Sequence, residues 1–272
     1  MKIRPILTAA FISAAVLLSA CGSTTAETEK TTVTTSAATT IETTVTEVTT
    51  TMPEIERIVV TPKEGAERKQ VALTFDDGPN TTTTAEILDI LEQYGIKASF
   101  FVVGQSINEQ SGEVMKRAYD MGCEINSHSY THSYMNEMEP DKIKEEMDKT
   151  AKLIYDNTGE NPKFFRPPYI AVNKEMYETI DLPFICGEGC NDWNAKIPVE
   201  KRVKFLTERI KDGMIILLHD SQGNDNTVEA LKEAIPKMLE EGYEFLTVSE
   251  LFEAKGVAPT PNEEYIYTIV GS

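Results

Sequence analysis

The sequence predicts an α/β fold of mostly parallel strands, a sheet or a barrel, and three observations carry that expectation. Short apolar runs alternate with segments of helical period over residues 68–256. One run, Val71 to Phe75, leads into Asp76-Asp77 and a Gly78-Pro79 turn, which projects two carboxylates from the C-terminal end of a buried strand. The most apolar run, Met214 to Leu218, ends in His219-Asp220, so a histidine emerges at the same kind of strand end. That end of the strands is where α/β folds build active sites.

Taken in order, the chain opens with Lys2 and Arg4 ahead of an apolar run, Ile6 to Leu18, too short to cross a bilayer comfortably. Residues 1–20 therefore have the layout of a secretory signal. The ending Leu18-Ser19-Ala20-Cys21-Gly22 resembles the bacterial lipobox, which implies cleavage before Cys21 and lipid on its thiol and new amino terminus. Two acyl chains suffice for stable anchoring, so a diacylated Cys21 places the protein on the extracellular face of a bacterial cell membrane. Half of the residues from Gly22 to Thr51 are threonine, with no apolar period to bury, and Pro53 and Pro62 follow. Residues 21–67 are thus expected to be a disordered linker between anchor and folded domain.

Strands are expected at Val71 to Phe75, Ala98 to Val103, Cys123 to Asn126, Phe164 to Phe165, Phe184 to Cys186, Met214 to Leu218 and Phe245 to Val248. Ile87, Ile90, Leu91 and Tyr94 share a helical face behind a threonine cap, and Ile143, Met147, Ala151 and Ile154 share another behind Pro140 at a first-turn position. Both read as packing helices with no part in a site. Pro236 falls inside the apolar pattern of Val228 to Leu239 and predicts a kink or break. Residues 257–272 read as a C-terminal tail, in which Tyr265 to Val270 either adds a short edge strand or frays.

The formal net charge is −18, most of it within the folded domain. Such a surface repels nucleic acid and other polyanions and leaves neutral or amine-bearing substrates, though acidity also serves solubility. With Cys21 lipidated, Cys123, Cys186 and Cys190 remain. Cys186 and Cys190 are near enough in sequence to pair, a point the sequence leaves open. Three thiols are too few for an all-cysteine zinc tetrahedron.

Candidate chemistry lies in five short motifs. His128-Ser-Tyr-Thr-His132 spaces two imidazoles to meet one ion, and two imidazoles, one carboxylate and an open position make a hydrolytic divalent metal site. Arg166, between aromatics and prolines in Phe-Phe-Arg-Pro-Pro-Tyr169, needs a partner if it is buried. Asp192-Trp193 and Leu217-Leu218-His219 complete the set with the strand-end pair Asp76-Asp77.

In this order the motifs resemble those of the polysaccharide deacetylase family of carbohydrate esterases, the NodB-homology domain. The resemblance covers the folded region and implies a distorted (β/α) barrel and metal-dependent removal of acetyl groups from a sugar polymer. It implies Asp76 as general base, Asp77, His128 and His132 as metal ligands, and His219 as general acid. Arg166 would orient Asp76, and Asp192 would pair with His219. The Tyr169 amide would help hold the oxyanion, while Trp193 and Leu217 would line the acetyl pocket. The family usually has glycine after the motif tyrosine, and Ile170 stands there instead. One divalent ion is expected, zinc first, with cobalt, nickel and manganese also suited to the donors. The expected protein is a monomer that acts on N-acetylated cell-wall polysaccharide, peptidoglycan or a chitin-like glycan, and binds no nucleic acid. O-acetyl ester hydrolysis on xylan or an exopolysaccharide, or a non-catalytic glycan-binding lipoprotein, are the alternatives.

Overall fold

The computed structural model describes residues 57–271. The signal segment, Cys21 and the threonine-rich stretch lie outside the described residues, as does most of the expected linker. Its last residues, from 57 onward, lie against the domain: the Ile58 N–H donates to Gln93 O at 2.7 Å and that of Lys63 to Glu240 O at 2.8 Å.

Strand β1 (Lys69–Asp76) is the centre of the fold. Along one edge it pairs in parallel with β6 (Ile215–His219), in a register that sets Ala72 opposite Ile215. Along the other edge it pairs first with β7 (Tyr243–Leu246) and then with β2 (Ser99–Val102), which in turn pairs with β3 (Glu124–Ser127). Every one of these pairings is parallel. The continuous apolar run of β1 follows from burial on both faces. Val71, Leu73 and Phe75 point outward into a cluster shared with helices α1 (Thr83–Tyr94), α2 (Glu109–Asp120) and α6 (Asp225–Glu240). Ala72 points inward, where Phe101, Ile185 and Ile215 meet Val248, Leu251 and Phe252 of α7 (Val248–Ala254). Thr74 and Asp76, at the same period of two, point inward as well.

The ring closes through irregular steps, which is why the barrel is distorted. Phe165 bridges Ser127 to Phe184 in parallel, as a single residue and not as the strand expected at Phe164 to Phe165. Phe184 opens the two-residue strand β4 (Phe184–Ile185), and β4 pairs with β8 (Ile266–Tyr267). Beyond β8, Ile269 bridges antiparallel to Met214, just ahead of β6. The Cys186 N–H donates to Tyr267 O at 2.7 Å, that of Ile215 to Thr268 O at 3.1 Å and that of Val270 to Gly213 O at 2.8 Å. The segment set off in the sequence as a tail is therefore a stave of the barrel, with Val270 buried in the inner cluster. A further two-residue strand, β5 (Glu188–Gly189), lies on the other edge of β6. Its glycine is needed for contact, since a Cβ on Gly189 would stand 2.6 Å from Leu217 O.

Three further expectations are corrected. The strand placed at Phe245 to Val248 ends at Leu246, because Thr247 caps α7 in a reciprocal capping box with Glu250. Thr82 makes no side-chain cap for α1; Asn80 Oδ1 accepts instead from the Thr82 and Thr84 N–H groups at 3.1 and 3.2 Å. Helix α6 runs unbroken through Pro236, its buried face of Val228, Leu231, Ile235 and Met238 outweighing the lost donor. Pro140 does open α3 (Pro140–Thr158) at its first turn. Among the described residues Cys123, Cys186 and Cys190 are all free thiols.

Candidate active site

Asp76 ends β1 and is buried, whereas Asp77 follows at φ 81°, a left-handed conformation that aspartate tolerates better than most residues. This reversal sends Asp76 to Arg166 and Asp77 to His132, while both carboxylates stay near His128 Nε2, at 3.8 and 3.7 Å. The turn is fixed from below by Asp220, the residue after β6. Its Oδ1 accepts the Gly78 N–H at 2.9 Å and its Oδ2 accepts the Thr84 hydroxyl at 2.5 Å. A Cβ on Gly78 would sit 2.2 Å from Asp220 Oδ2, so the glycine is sterically required. Burial pushes the Asp220 carboxyl up to about 7.

Asp77, His128 and His132 form a cluster whose ligand atoms lie within 4.8 Å of one another. Asp77 Oδ1 is 3.4 Å from His132 Nε2 and 3.7 Å from His128 Nε2. His128 Nδ1 lies 2.7 Å from the Arg166 carbonyl, which fixes that nitrogen as the donor and leaves Nε2 with a lone pair toward the cluster. Burial holds the His128 imidazole below its usual pKa against the pull of Asp76 and Asp77, so it is neutral, as a ligand must be. One carboxylate and two imidazoles with an open side fit a hydrolytic divalent ion, and the donors suit zinc, cobalt, nickel or manganese.

His132 reaches the cluster from a loop that α3 holds. The N–H groups of Tyr130 and Thr131 donate to Glu146 Oε2 at 2.9 and 2.7 Å, and the His132 N–H donates to Ser129 Oγ at 3.0 Å. Helix α3 is therefore more than the packing helix its apolar period suggests. Glu146 was legible only as a carboxylate intruding on the buried face beside Ile143 and Thr150.

On the inner side of the cluster, Arg166 Nη1 donates to Asp76 Oδ1 at 2.5 Å, its other Nη donates to the Cys186 carbonyl, and its guanidinium lies 4.0 Å over the Phe101 ring. Burial pushes the Asp76 carboxyl up, but Arg166, His128 and His219 outweigh it and hold the group below its usual value. Asp76 is thus anionic and fully enclosed, an acceptor for a proton. His219 faces the same space from β6. Asp192 grips it twice, with Oδ1 2.8 Å from Nδ1 and Oδ2 accepting its backbone N–H at 2.8 Å. Burial alone would lower the His219 pKa; the Asp192 hydrogen bond and charge reverse this and raise it to about 9. His219 is accordingly a cationic donor at neutral pH.

Asp192 is itself positioned by residues that no sequence motif marks. The Thr227 hydroxyl and the Asn224 amide donate to its Oδ2 at 2.8 and 3.3 Å. Buried Arg202, on α5 (Val199–Glu208), donates 2.6 Å bonds to Asn224 Oδ1 and Thr227 Oγ1. Arginine on the inner face of a helix was the one available signal.

Tyr169 and Ile170 both adopt left-handed backbone, at φ 59° and 54°. Among the described residues the Tyr169 amide N–H donates to no acceptor, while those of Ile170 and Ala171 are taken by Pro167 and Pro168. A free, fixed N–H at this point can serve a developing oxyanion. The Ile170 conformation also explains a preference for glycine, since a β-branched residue is strained there. Leu217 is half-buried on β6, opposite Thr74 of β1, and Trp193 is exposed next to Asp192. All the motifs singled out in the folded region lie at or beside strand C-terminal ends. Two surface depressions, of about 630 and 710 Å³, share no residue with them.

Residues 63–182 match the model of the polysaccharide deacetylase family. Over 198 residues the chain is 50% identical to a bifunctional xylanase/deacetylase of Pseudobutyrivibrio xylanivorans, a match covering 73% of this chain and 32% of that protein. Over 208 residues it is 36% identical to the peptidoglycan-N-acetylglucosamine deacetylase PgdA of Listeria monocytogenes, covering 75% of this chain and 43% of that one. Among solved structures, a family 4 acetyl xylan esterase from Clostridium thermocellum in complex with a cobalt ion matches with a TM-score of 0.73 at 40% identity, over 75% of this chain and all of that one. The chain belongs to the polysaccharide deacetylase family. It spans only about a third and two fifths of the two full-length relatives named.

Proposed function

We propose that this protein removes acetyl groups from an N-acetylated cell-wall polysaccharide by metal-dependent hydrolysis, and that it does so from a lipid anchor at Cys21 on the outer face of the cell membrane. One observation carries the chemistry: an anionic acceptor, Asp76, and a cationic donor, His219, face each other beside the Asp77–His128–His132 cluster. Asp77, His128 and His132 would hold a divalent ion, which would supply Lewis-acid chemistry at the acetyl carbonyl when bound. Asp76, kept ionised and oriented by Arg166, takes the proton of the attacking water. The Tyr169 N–H faces the charge that develops on the carbonyl oxygen. His219 gives its proton to the leaving nitrogen, which departs only when protonated, and Asp192 stabilises the cation that makes this possible. Trp193 and Leu217 line the acetyl side.

The strength of the His219–Asp192 pair supports an amide substrate, whose leaving group needs a full proton. Similarity to a xylanase/deacetylase and to an acetyl xylan esterase favours a second reading, O-acetyl ester hydrolysis on xylan, by the same residues. Acetate release from peptidoglycan, chitin oligomers and acetylated xylan by the metal-loaded protein tests both. Release from the N-acetylated polymers bears out the first reading, release from xylan alone replaces it with the second, and glycan binding without hydrolysis would leave a binding lipoprotein.

A further inference from the structure

The site is approached along a row of rings. His128 and His132 meet edge-on with centroids 4.9 Å apart, and Tyr169 meets His132 edge-on at 4.7 Å. Tyr134 then stacks on Tyr169 with centroids 4.1 Å apart and planes 18° from parallel. Exposure rises along the row: His128 is buried, His132 half-buried, and Tyr169 and Tyr134 are 55% and 48% exposed. Tyr134 is also anchored. The next residue, Met135, is fully buried in a cluster with Ile143, Phe165 and Met176 of helix α4 (Lys174–Thr179), and the side chain of Asn173, which caps α4, donates to Asn136 O at 2.8 Å.

Two large aromatic side chains, stacked nearly parallel and each left about half exposed beside a polar catalytic cluster, keep a flat apolar surface open to a ligand. The occupant must be flat enough to stack, apolar on one face and ringed with hydroxyls. A pyranose has this shape, with axial C–H groups on its faces and hydroxyls at its rim. Tyrosine suits the task, since it offers wide rigid area at low entropic cost and a phenol for hydrogen bonding.

We propose that Tyr134, stacked on Tyr169 at the rim of the Asp77–His128–His132 cluster, is the platform for a pyranose ring of the substrate glycan. The inference rests on the reading of the protein as a glycan deacetylase and adds where the polymer is held. Tyr134 then governs affinity for the polymer and not the chemical step, because it touches none of the acid–base residues.

The test compares the full-length wild type with Tyr134→Ala, Tyr134→Leu and Tyr134→Phe, each checked by thermal melting. Acetate release is followed on chitopentaose and acetylated xylo-oligosaccharides, with 4-nitrophenyl acetate as an ester that carries no sugar. Tyr134→Ala and Tyr134→Leu should raise KM for the glycan turned over by about tenfold, which is ~1.4 kcal/mol. Their kcat on that glycan, and their kcat/KM on 4-nitrophenyl acetate, should stay within about twofold of wild type by the same reasoning, and Tyr134→Phe should keep KM. Unchanged glycan KM in both ring-less variants overturns the platform, and so does an equal loss on the sugar-free ester. Calorimetric binding of the same oligosaccharides separates the two levels of inference. If no glycan is deacetylated, the proposed activity fails, yet binding weakened about tenfold by Tyr134→Ala still supports the platform. Wild type that binds neither oligosaccharide overturns it.

Discussion

Asp76 and His219 are register partners, the last paired residues of adjacent parallel strands β1 and β6. Partners in a parallel ladder point to the same face, so a proton acceptor and a proton donor are delivered to one side of one space by backbone pairing alone. Their protonation states are set by separate braces, Arg166 for the first and Asp192 for the second.

The neighbouring carboxylates should fail differently. Asp77→Asn removes a cluster ligand and should weaken metal affinity, as should His128→Ala and His132→Ala. Asp76→Asn should keep the metal and lose about 10²- to 10⁴-fold in kcat. Metal titration beside steady-state kinetics reads both, and equal metal loss in the two aspartate variants would reverse the assignment.

In the proposed mechanism His219 must be protonated, so activity should fall on the alkaline side as pH rises through about 9. Asp76, as the proposed base, must be ionised, and its depressed pKa should put the acid limb low. The charges facing His219 are Asp192, Asp76 and Asp77. Asp192→Asn removes the one in contact with it and should move the alkaline limb of kcat/KM down by about one to two units, with little change in the acid limb. A limb that follows the metal supplied and ignores Asp192→Asn would remove His219 from the role of acid.

Glu146→Ala strips two backbone N–H groups of their acceptor in the loop that carries His132. Metal affinity should drop about 10- to 100-fold, the usual cost of losing a group that orients a ligand. Glu146→Gln keeps an acceptor oxygen and should lose far less. Calorimetry with zinc checks the contrast.

Ile170→Gly removes a strained β-branched residue from a left-handed position worth about 1–3 kcal/mol, less about 0.5–1 kcal/mol for the flexibility of glycine. The melting temperature should rise by a few degrees in differential scanning calorimetry. A fall would show that the Ile170 side chain packs usefully.

Cys21→Ser should move the protein from the membrane pellet to the medium, or leave it held by an uncleaved signal, with the activity of the solubilised enzyme unchanged. Fractionation with lipid labelling decides, and unchanged labelling would clear Cys21 of the role.

The site was legible where chemistry sits in compact motifs at strand ends. Asp76, Asp77, His128, His132, Arg166, Asp192 and His219 converge as their motifs imply. What the sequence hid was support from a distance. Glu146 and Arg202 sit in helices whose periodicity speaks only of packing, and the site-bearing groups they hold lie 15 or more residues away: Thr131 for Glu146, Thr227 for Arg202. Tyr134 was one exposed ring among many until the fold set it on Tyr169. In the fold, strands with several paired residues were readable from their apolar runs. The seam was readable only in part: Phe184 to Cys186 read as a strand, but Phe165 is a bridge of one residue and Tyr265 to Val270 read equally as an edge strand or as fraying, because elements of one or two residues carry no periodicity.

That seam bears on where the domain can be cut. A fragment stopped at Gly256, where the clear patterning ends, loses Tyr267 O as acceptor for Cys186 and Thr268 O for Ile215. Both sides of the gap then present raw strand edges, templates for pairing with another molecule. Cys186 is also the residue whose carbonyl takes the second Arg166 bond, so loosening that edge reaches the brace on Asp76. The residues around β8 thus act as a guard against self-association as well as a stave, and a fragment trimmed to the obvious motifs would be the one prone to aggregate.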